Sequence, residues 1–320
     1  MDSHYVAGIV HHDAYELLGA CLASLALQTR PPAAVHVVDT GVDPARLEPL
    51  RRAYPAVRFD VRENRGYGAG ANHVLASAAQ SHPDAGFVLI LNPDIELEPG
   101  FAAALIGAME RRPGVALASG KLLRPDRKTI DSAGIRLPRH RRPRDRGSEQ
   151  EDRGQFDRDE LVFGVSGAAM MIRCAALADL AIEGEVFDED FFAYQDDTDL
   201  SWRAGRLGWR VLYEPAARAV HVRRWRKLER MRIEPAVRQH SFKNHYLQLV
   251  KNESAAGLLV NLPVLLAWEA LRFGYAVLRD PAVLPGYAAA VRELPRAWSK
   301  RRSIQRRARL RAASIAREGA

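Results

Sequence analysis

Cysteine is almost missing from this chain: Cys21 and Cys174 are the two instances in 320 residues. Each lies in an apolar helix-like or strand-like context, so two buried free thiols are expected rather than a disulfide framework or a thiolate metal site, and a reducing cytoplasm fits. Signal features are missing too. Met1-Asp-Ser-His-Tyr5 runs straight into Val6-Ala-Gly-Ile-Val10 with no basic region, long apolar run or small-residue cleavage site, so secretion is not expected. No internal repeat is evident. Long uncharged apolar stretches are scarce as well: the longest, Ala255 to Trp268, is short of the roughly 18 apolar residues a confident membrane span needs. Pro263 lies inside it, and Glu269 and Arg272 follow before Phe273, Tyr275, Val277 and Leu278 resume the apolar character. A helical hairpin, an in-plane membrane helix and a helix buried against the main domain all fit that pattern.

Acidic residues are outnumbered, 39 Asp and Glu against 47 Lys and Arg, for a net charge of +8. The excess sits in two places. Arg136 to Arg146 is Pro-interrupted and without apolar period, and reads as a mobile loop; the other is the carboxyl tail from Arg292 to Arg317. Such patches attract nucleic acid, acidic lipid or phosphorylated substrates. Single-strand binding needs aromatic platforms among the basic residues, and the tail offers Trp298 alone, so a non-enzymatic polyanion-binding protein is disfavoured and nucleic acid is not expected as a partner. Leu294, Trp298, Ile304 and Leu310, spaced among the basic residues, favour an anionic membrane surface instead.

Short apolar runs at 6–10, 35–39, 57–61, 87–91 and 115–118 alternate with helix-like segments at 14–27, 44–53, 70–80 and 100–111. That β-α alternation predicts a mostly parallel sheet flanked by helices. After Gly120 the pattern changes to the charged loop, a mixed strand over 161–172, an acidic cluster, a helix over 200–207 and a strand over 209–213.

Phe87 to Leu91 reads as a strand buried on both faces, and Asn92-Pro93 stops it, which leaves Asp94 at the carboxyl edge of the sheet where open α/β folds bind ligands. The second acidic cluster, Gln195-Asp-Asp-Thr-Asp199, follows the aromatic run from Phe191 to Tyr194. A turn residue at Asp94 and a helix cap at Asp199 are the ordinary readings. Together, two separated carboxylate clusters suit a hard cation and a proton-accepting base, as in a metal-dependent transferase. A third element supports this. Asp39 ends the second strand, and Arg62-Glu-Asn64-Arg-Gly66-Tyr-Gly68-Ala-Gly70-Ala-Asn72 follows the third, a pattern suited to a base or ribose and to phosphates. Gly66, Gly68 and Ala71 also satisfy a dinucleotide fingerprint, but that motif belongs after a first strand, so a Rossmann-type oxidoreductase is the weaker alternative.

At this point the chain resembles the family 2 glycosyltransferases of the GT-A fold, in particular the bacterial rhamnosyltransferase-like branch. The resemblance is carried, over about residues 5–225, by Asp39-Thr-Gly, Glu63 to Asn72, Leu91-Asn-Pro-Asp94, Val165-Ser-Gly-Ala-Ala169, Phe187 to Phe192, Asp196 to Arg203, Gly208 to Tyr213 and His221. It implies an inverting, metal-dependent sugar transfer from a nucleotide-sugar, dTDP-rhamnose or a UDP-sugar, to a hydroxyl of a glycan or polyprenyl-linked acceptor in cell-envelope polysaccharide synthesis. Asp39, Asn64, Gly66, Gly68, Asn72 and Asn92 would face the nucleotide. Asp94 and His221 would hold Mg²⁺ or Mn²⁺ at the diphosphate. Asp197 matches the general base, Asp196 the residue that orients the acceptor, and Ser166 and Gly167 the acceptor or donor-sugar wall. The implied layout is a catalytic domain over 1–230 and a helical, basic region over 231–320, peripheral on the cytoplasmic face of the cell membrane. Two positions depart from the pattern: His11-His12-Asp13 follows the first strand, and Asn92 replaces the first acid of the D-x-D motif. Adjacent histidines at a strand end point opposite ways, so His11 and His12 are read as surface or nucleotide-loop residues rather than a metal pair.

Overall fold

The computed structural model describes residues 3–222 and 233–318. The first half follows the predicted alternation: β1 (Tyr5–His11), α1 (Tyr15–Ala26), β2 (Ala34–Asp39), α2 (Glu48–Ala53), β3 (Val57–Val61), α3 (Tyr67–Ser81), β4 (Phe87–Leu91), β5 (Ile95–Leu97), α4 (Phe101–Glu110) and β6 (Val115–Leu123). A single 3-10 turn over Pro44–Leu47 replaces the start of the helix expected from 44. Then come β7 (Ile130–Ser132), β8 (Ile135–Arg136), β9 (Arg144–Asp145), β10 (Glu160–Leu161), β11 (Ala169–Arg173), α5 (Leu177–Leu180), α6 (Asp196–Arg206), β12 (Arg210–His221), α7 (Pro235–Asn252), α8 (Ala255–Arg279) and α9 (Pro285–Glu318).

The main sheet runs β10-β12-β6-β11-β4-β1-β2-β3. Pairs β4-β1, β1-β2, β2-β3 and β6-β12 are parallel, whereas β11 is antiparallel to both its neighbours. Every residue of β1 and β4 is buried because helices cover both faces, as a parallel sheet requires. Tyr5, Ala7 and Ile9 of β1 join α1 and α4 in one apolar layer, and Val6 and Val10 join α3, α5 and α6 in the other. At Gly8 a Cβ would sit 2.0 Å from a Val74 methyl, so only glycine lets α3 lie this close to the sheet.

Strand β12 bends at a register shift between Glu214 and Arg218, and its end pairs antiparallel with β5, setting His221 opposite Ile95. Gly120 makes room for the bend, since a Cβ there would fall 1.9 Å from the Ala217 carbonyl oxygen.

Several expectations are corrected. The basic run over 136–146 is closed by the short β8-β9 pair rather than being a loop throughout. The mixed strand over 161–172 is two strands, β10 and β11, with a turn at Gly167-Ala168 leading into the second. The acidic cluster lies on the first turn of α6 rather than on a loop, where the helix dipole favours carboxylates. Helix α8 is 25 residues, so it continues through Pro263, Glu269 and Arg272 and is long and apolar enough to cross a membrane by length and composition. It is not buried against the sheet domain: Leu259, Leu266 and Leu271 are exposed. Cys21 is buried and Cys174 half-buried, and both are free thiols. Trp202 is buried, whereas Trp209 is half-buried, donates to Asp179 (3.0 Å) and is covered by the Arg311 guanidinium (4.4 Å). The boundary expected at 230/231 lies outside the described residues.

Candidate active site

The strand end at Asn92-Pro93 delivers Asp94 to the edge of the sheet, and the bend in β12 delivers His221 to meet it, with Nε2 3.4 Å from an Asp94 carboxylate oxygen. The Asn92 backbone N–H donates to the Ala168 carbonyl (2.9 Å), which fixes this turn against the strand after Gly167. His221 Nδ1 contacts Asp131 at 2.7 Å, and Asp131 pairs with Arg124 at 2.8 Å. Burial would lower the His221 pKa, but the hydrogen bonds and charges of Asp131 and Asp94 outweigh it and push it up to about 9. Asp131 and Arg124 were not legible in the sequence, since one lies on the three-residue strand β7 and the other just past the end of β6. This is a carboxylate-oriented histidine beside a second carboxylate, the arrangement that fixes an imidazole as a metal ligand. Among the described residues no third His, Cys, Asp or Glu completes a cluster. The pair therefore fits a divalent ion that takes its other ligands from phosphate oxygens and water.

Asp39 and His11 form a second pair. His11 is fully buried, its Nδ1 2.6 Å from Asp39 Oδ1, and its Nε2 accepts from the Ala14 backbone N–H at 2.9 Å. Because Nε2 accepts, the proton is assigned to Nδ1 and donated to Asp39. His11 is thus an orienting residue rather than a surface one, while His12 points outward as alternation requires, with its Nδ1 2.8 Å from the Thr40 carbonyl. The other Asp39 oxygen is buried with no hydrogen-bond partner among the described residues, an acceptor available to a ligand.

Asn64 Oδ1 accepts from the Gly66 N–H (3.0 Å), a turn that sets Gly66 at φ +93° at the start of α3. A Cβ at Gly66 would lie 2.3 Å from the Phe192 carbonyl oxygen, and one at Gly68 would lie 3.2 Å from that of Asp188. Asn72 donates to the Phe187 carbonyl (2.9 Å) and Glu189 (3.1 Å) and accepts from the N–H groups of Val186 and Phe187. Its amide, read from the sequence as a nucleotide contact, is committed to the 186–189 segment. The glycines and Asn72 thus dock α3 onto the loop that leads to α6, and Thr40, Arg62, Gly70 and Asn72 line a cleft of about 410 Å³ beside it.

That loop holds Phe192, Tyr194 and Gln195 at positive φ, a conformation other contacts must impose on non-glycine residues. Helix α7 supplies them. The Asn244 side chain donates to the carbonyls of Phe191, Ala193 and Tyr194 (2.9, 2.8 and 2.8 Å), and Lys243 donates to that of Asp190. The Lys243-Asn244 pair is thus a clamp on the loop. Below it, Asp188 is buried between Lys251 and Lys300, and Asp199 contacts Lys251 (2.9 Å), Asn252 (2.7 Å) and Arg203 (3.5 Å). Asp199 and Arg203 are both buried, so their i,i+4 pairing is a buried ion pair rather than a weak exposed helix contact.

Asp197 is half-buried, and both its oxygens are anchored: Oδ2 accepts from the Gly167 N–H (2.9 Å) and Oδ1 from the Thr198 N–H (2.7 Å). A Cβ at Gly167 would approach Asp197 Cβ to 3.1 Å, so the small residue seats the carboxylate. Ser166, Tyr194, Asp197 and Thr198 share a cleft of about 790 Å³ with residues of the β8-β9 segment. Asp196 is buried behind them, and burial, with the neighbouring Asp197 charge, raises its pKa to about 8. Its folded pKa exceeds the unfolded one, so the folded state binds more protons between roughly pH 4 and 8 and stability falls as pH rises through that window. Asp196→Asn is expected to remove that loss. Thermal melts should show the variant gaining on the native chain by roughly a few kcal/mol between pH 6 and pH 9.

A parallel-rich sheet with a metal-type pair at its carboxyl edge, a buried acceptor at a strand end two strands away and a carboxylate on an opposing helix fits a glycosyltransferase of the GT-A fold. Residues 7–180 match the family model for glycosyl transferase family 2. The chain belongs to that family. Relatives from two strains of Mycobacterium tuberculosis (CDC 1551 / Oshkosh and H37Rv), each named N-acetylglucosaminyl-diphospho-decaprenol L-rhamnosyltransferase, are 30% identical over 221 residues, covering 62% of this chain and 70% of theirs. Among solved structures, S. aureus TarS superposes with a TM-score of 0.60 at 14% identity, over 97% of this chain and 53% of that one. The mannosyltransferase PcManGT from Pyrobaculum calidifontis, in complex with GDP-Man and Mn²⁺, gives 0.53 at 16% identity, over 97% and 87%. GalNAc-T7 with UDP, GalNAc and Mn²⁺ gives 0.58 at 12%, over 78% of this chain and 48% of its own. At these identities the structural likeness speaks for the fold alone.

Proposed function

We propose that this glycosyltransferase moves L-rhamnose, with inversion, from its nucleotide-activated form to a hydroxyl of a sugar joined through diphosphate to a polyprenol. The observation that carries the mechanism is the anchored Asp197 carboxylate on the wall of the large cleft. Its oxygens are held by backbone N–H groups, so it is positioned to take the proton of an acceptor hydroxyl as that oxygen attacks the anomeric carbon. Asp196 packs behind it and sets the acceptor's approach, with Ser166 and Gly167 as the adjoining wall. Asp39 offers its unpartnered oxygen to the base or ribose of the donor, and Asn64, Gly66, Gly68, Asn72 and Asn92 shape that side of the site. Asp94 and His221 would hold Mg²⁺ or Mn²⁺, which supplies positive charge to a departing diphosphate. The acceptor and donor-sugar assignments rest on the relatives' names, and a UDP-sugar remains the competing donor class.

The region 231–320, whose described helices are α7, α8 and α9, docks the enzyme, in this reading, on the cytoplasmic face of the membrane. The exposed leucines of α8 and the basic tail are its contact surface, in the manner of cationic amphipathic segments.

The test is thermal stabilisation by dTDP-rhamnose and UDP-sugars with and without Mn²⁺. The native chain is expected to show metal-dependent stabilisation by dTDP-rhamnose, and Asp94→Ala to lose it. Stabilisation that ignores the metal, or that survives Asp94→Ala, overturns the metal assignment; stabilisation by a UDP-sugar alone overturns the donor.

A further inference from the structure

The basic run over 136–146 divides into arginines that are used by the fold and arginines that are not. Arg139 donates to the Asn261 side chain (3.3 Å) and the Val260 carbonyl (3.4 Å) of α8, Arg141 pairs with Glu253, and Arg146 pairs with Glu160 (2.5 Å). Arg136 and Arg144 are different. They are the directly opposed residues of the β8-β9 pair, both are exposed, and among the described residues neither has a carboxylate partner. Among the described residues their one ring contact is that of the Arg144 guanidinium with Trp268, at 5.9 Å. Like charges directly opposite each other destabilise an antiparallel pair, so the fold carries a repulsion that an anion between the two side chains would relieve.

Both side chains line the cleft that contains Asp197 and Ser166, and Arg142 lines it too. Neither Asp94 nor His221 lines it, although Arg124, which pairs with the Asp131 beside His221, does, so the cleft adjoins the expected place of the donor's diphosphate without containing Asp94 or His221. The segment between β8 and β9 also touches α8: His140 stacks on Trp268 at 4.4 Å, and Arg139 binds Val260 and Asn261, which flank the exposed Leu259 and Leu262. The order is therefore base, opposed arginines, apolar helix. A lipid-linked acceptor has the same order of parts, hydroxyl-bearing sugar, diphosphate and hydrocarbon.

We infer that Arg136 and Arg144 form the subsite for the acceptor's diphosphate, a positioning pair that sets the sugar hydroxyl at Asp197. This rests on the reading of the acceptor as a sugar-diphospho-lipid. Guanidinium forks match phosphate oxygens in pairs, so the subsite would discriminate a diphosphate-linked acceptor from an uncharged glycoside of the same sugar and chain.

The test uses the full chain and N-acetylglucosaminyl diphosphate carrying a short, soluble prenyl chain, with the uncharged prenyl glycoside as control. Binding is measured by calorimetry with EDTA present, so that a metal-held diphosphate does not contribute. The Arg136→Ala/Arg144→Ala double variant is expected to bind the diphosphate probe at least about 30-fold more weakly, as loss of two charge-assisted contacts requires. The Lys/Lys double variant should recover part of that affinity, and Asp94→Ala should leave it intact. In turnover, the acceptor KM should rise with kcat and the donor KM within about twofold. The melting temperature of the Ala/Ala variant should not fall, because a repulsive pair has been removed.

Equal binding of the probe by native and Ala/Ala chains, or no binding by either, overturns the proposal. A raised donor KM instead would assign the arginines to the donor. Loss of binding to anionic phosphatidylglycerol vesicles with the soluble probe unaffected would assign them to lipid headgroups, again overturning it. Arginine-dependent probe binding without rhamnose transfer would leave the subsite standing and sink the functional reading on which it was built.

Discussion

Asp197→Asn is expected to lower kcat by about 10²–10⁴-fold, the usual contribution of a positioned general base. Asparagine keeps the size of the side chain, and its carbonyl oxygen can still accept the Gly167 N–H that now holds Oδ2 at 2.9 Å. What it cannot do is take a proton from the acceptor. The donor KM should therefore stay within a few-fold, and the fold should lose about 1–3 kcal/mol, because the amide nitrogen cannot accept the Thr198 N–H that Oδ1 now accepts at 2.7 Å. Steady-state kinetics with varied donor and acceptor, alongside melting of both chains, would check this. Turnover within tenfold of the native rate would place the base elsewhere.

Asp188→Asn is expected to destabilise the fold by roughly 3 kcal/mol, toward the low end of the cost of breaking a buried ion pair. Asp188 is 3% exposed and sits between Lys251 and Lys300. Neutralising it leaves two buried ammonium groups, but Lys251 keeps Asp199 at 2.9 Å and Lys300 keeps Asp190 at 2.9 Å, which limits the loss. Burial alone would raise the Asp188 pKa, yet the two lysines hold it well below the ordinary carboxylate range. Its stabilisation is therefore present above the unfolded pKa and is lost as pH falls toward the folded one. Chemical denaturation should show the largest gap between native and variant chains near neutrality and a shrinking gap in acid. A gap that is constant with pH would mean that packing, not charge, is what Asp188 supplies.

The alternation of apolar runs exposed the first half of the sheet, because strands buried on both faces and amphipathic helices leave distinct periods in a sequence. Asp94, Asp197 and His221 were singled out by their motifs, and the structure brings Asp94 and His221 together. Their partners were not legible. Asp131 reaches His221 from β7, a three-residue strand too short to leave a period, and Arg124, just after β6, backs Asp131 rather than His221. His11 sits on a strand end where alternation says only that it and His12 diverge, not which one is buried. Asn244 is one amide on a helix, and its three bonds go to a loop some fifty residues earlier. The arginine run was legible as charge, but its split into structural and unpartnered members depends on pairing Arg136 with Arg144 across β8-β9, a two-residue ladder too short to leave a pattern.

The lysine at position 300 has a consequence for how the enzyme is made. Its partner Asp188 lies 112 residues earlier, and the loop between Asp188 and Asp196 takes its unfavourable backbone geometry from contacts with α7 and α9. During synthesis the parallel sheet has all its strands as soon as His221 has been added, while Lys300 is still to come. Contacts between such distant residues carry the loop-closure cost last. The chain on the ribosome is thus expected to complete its sheet before the loop between Asp188 and Asp196 is clamped.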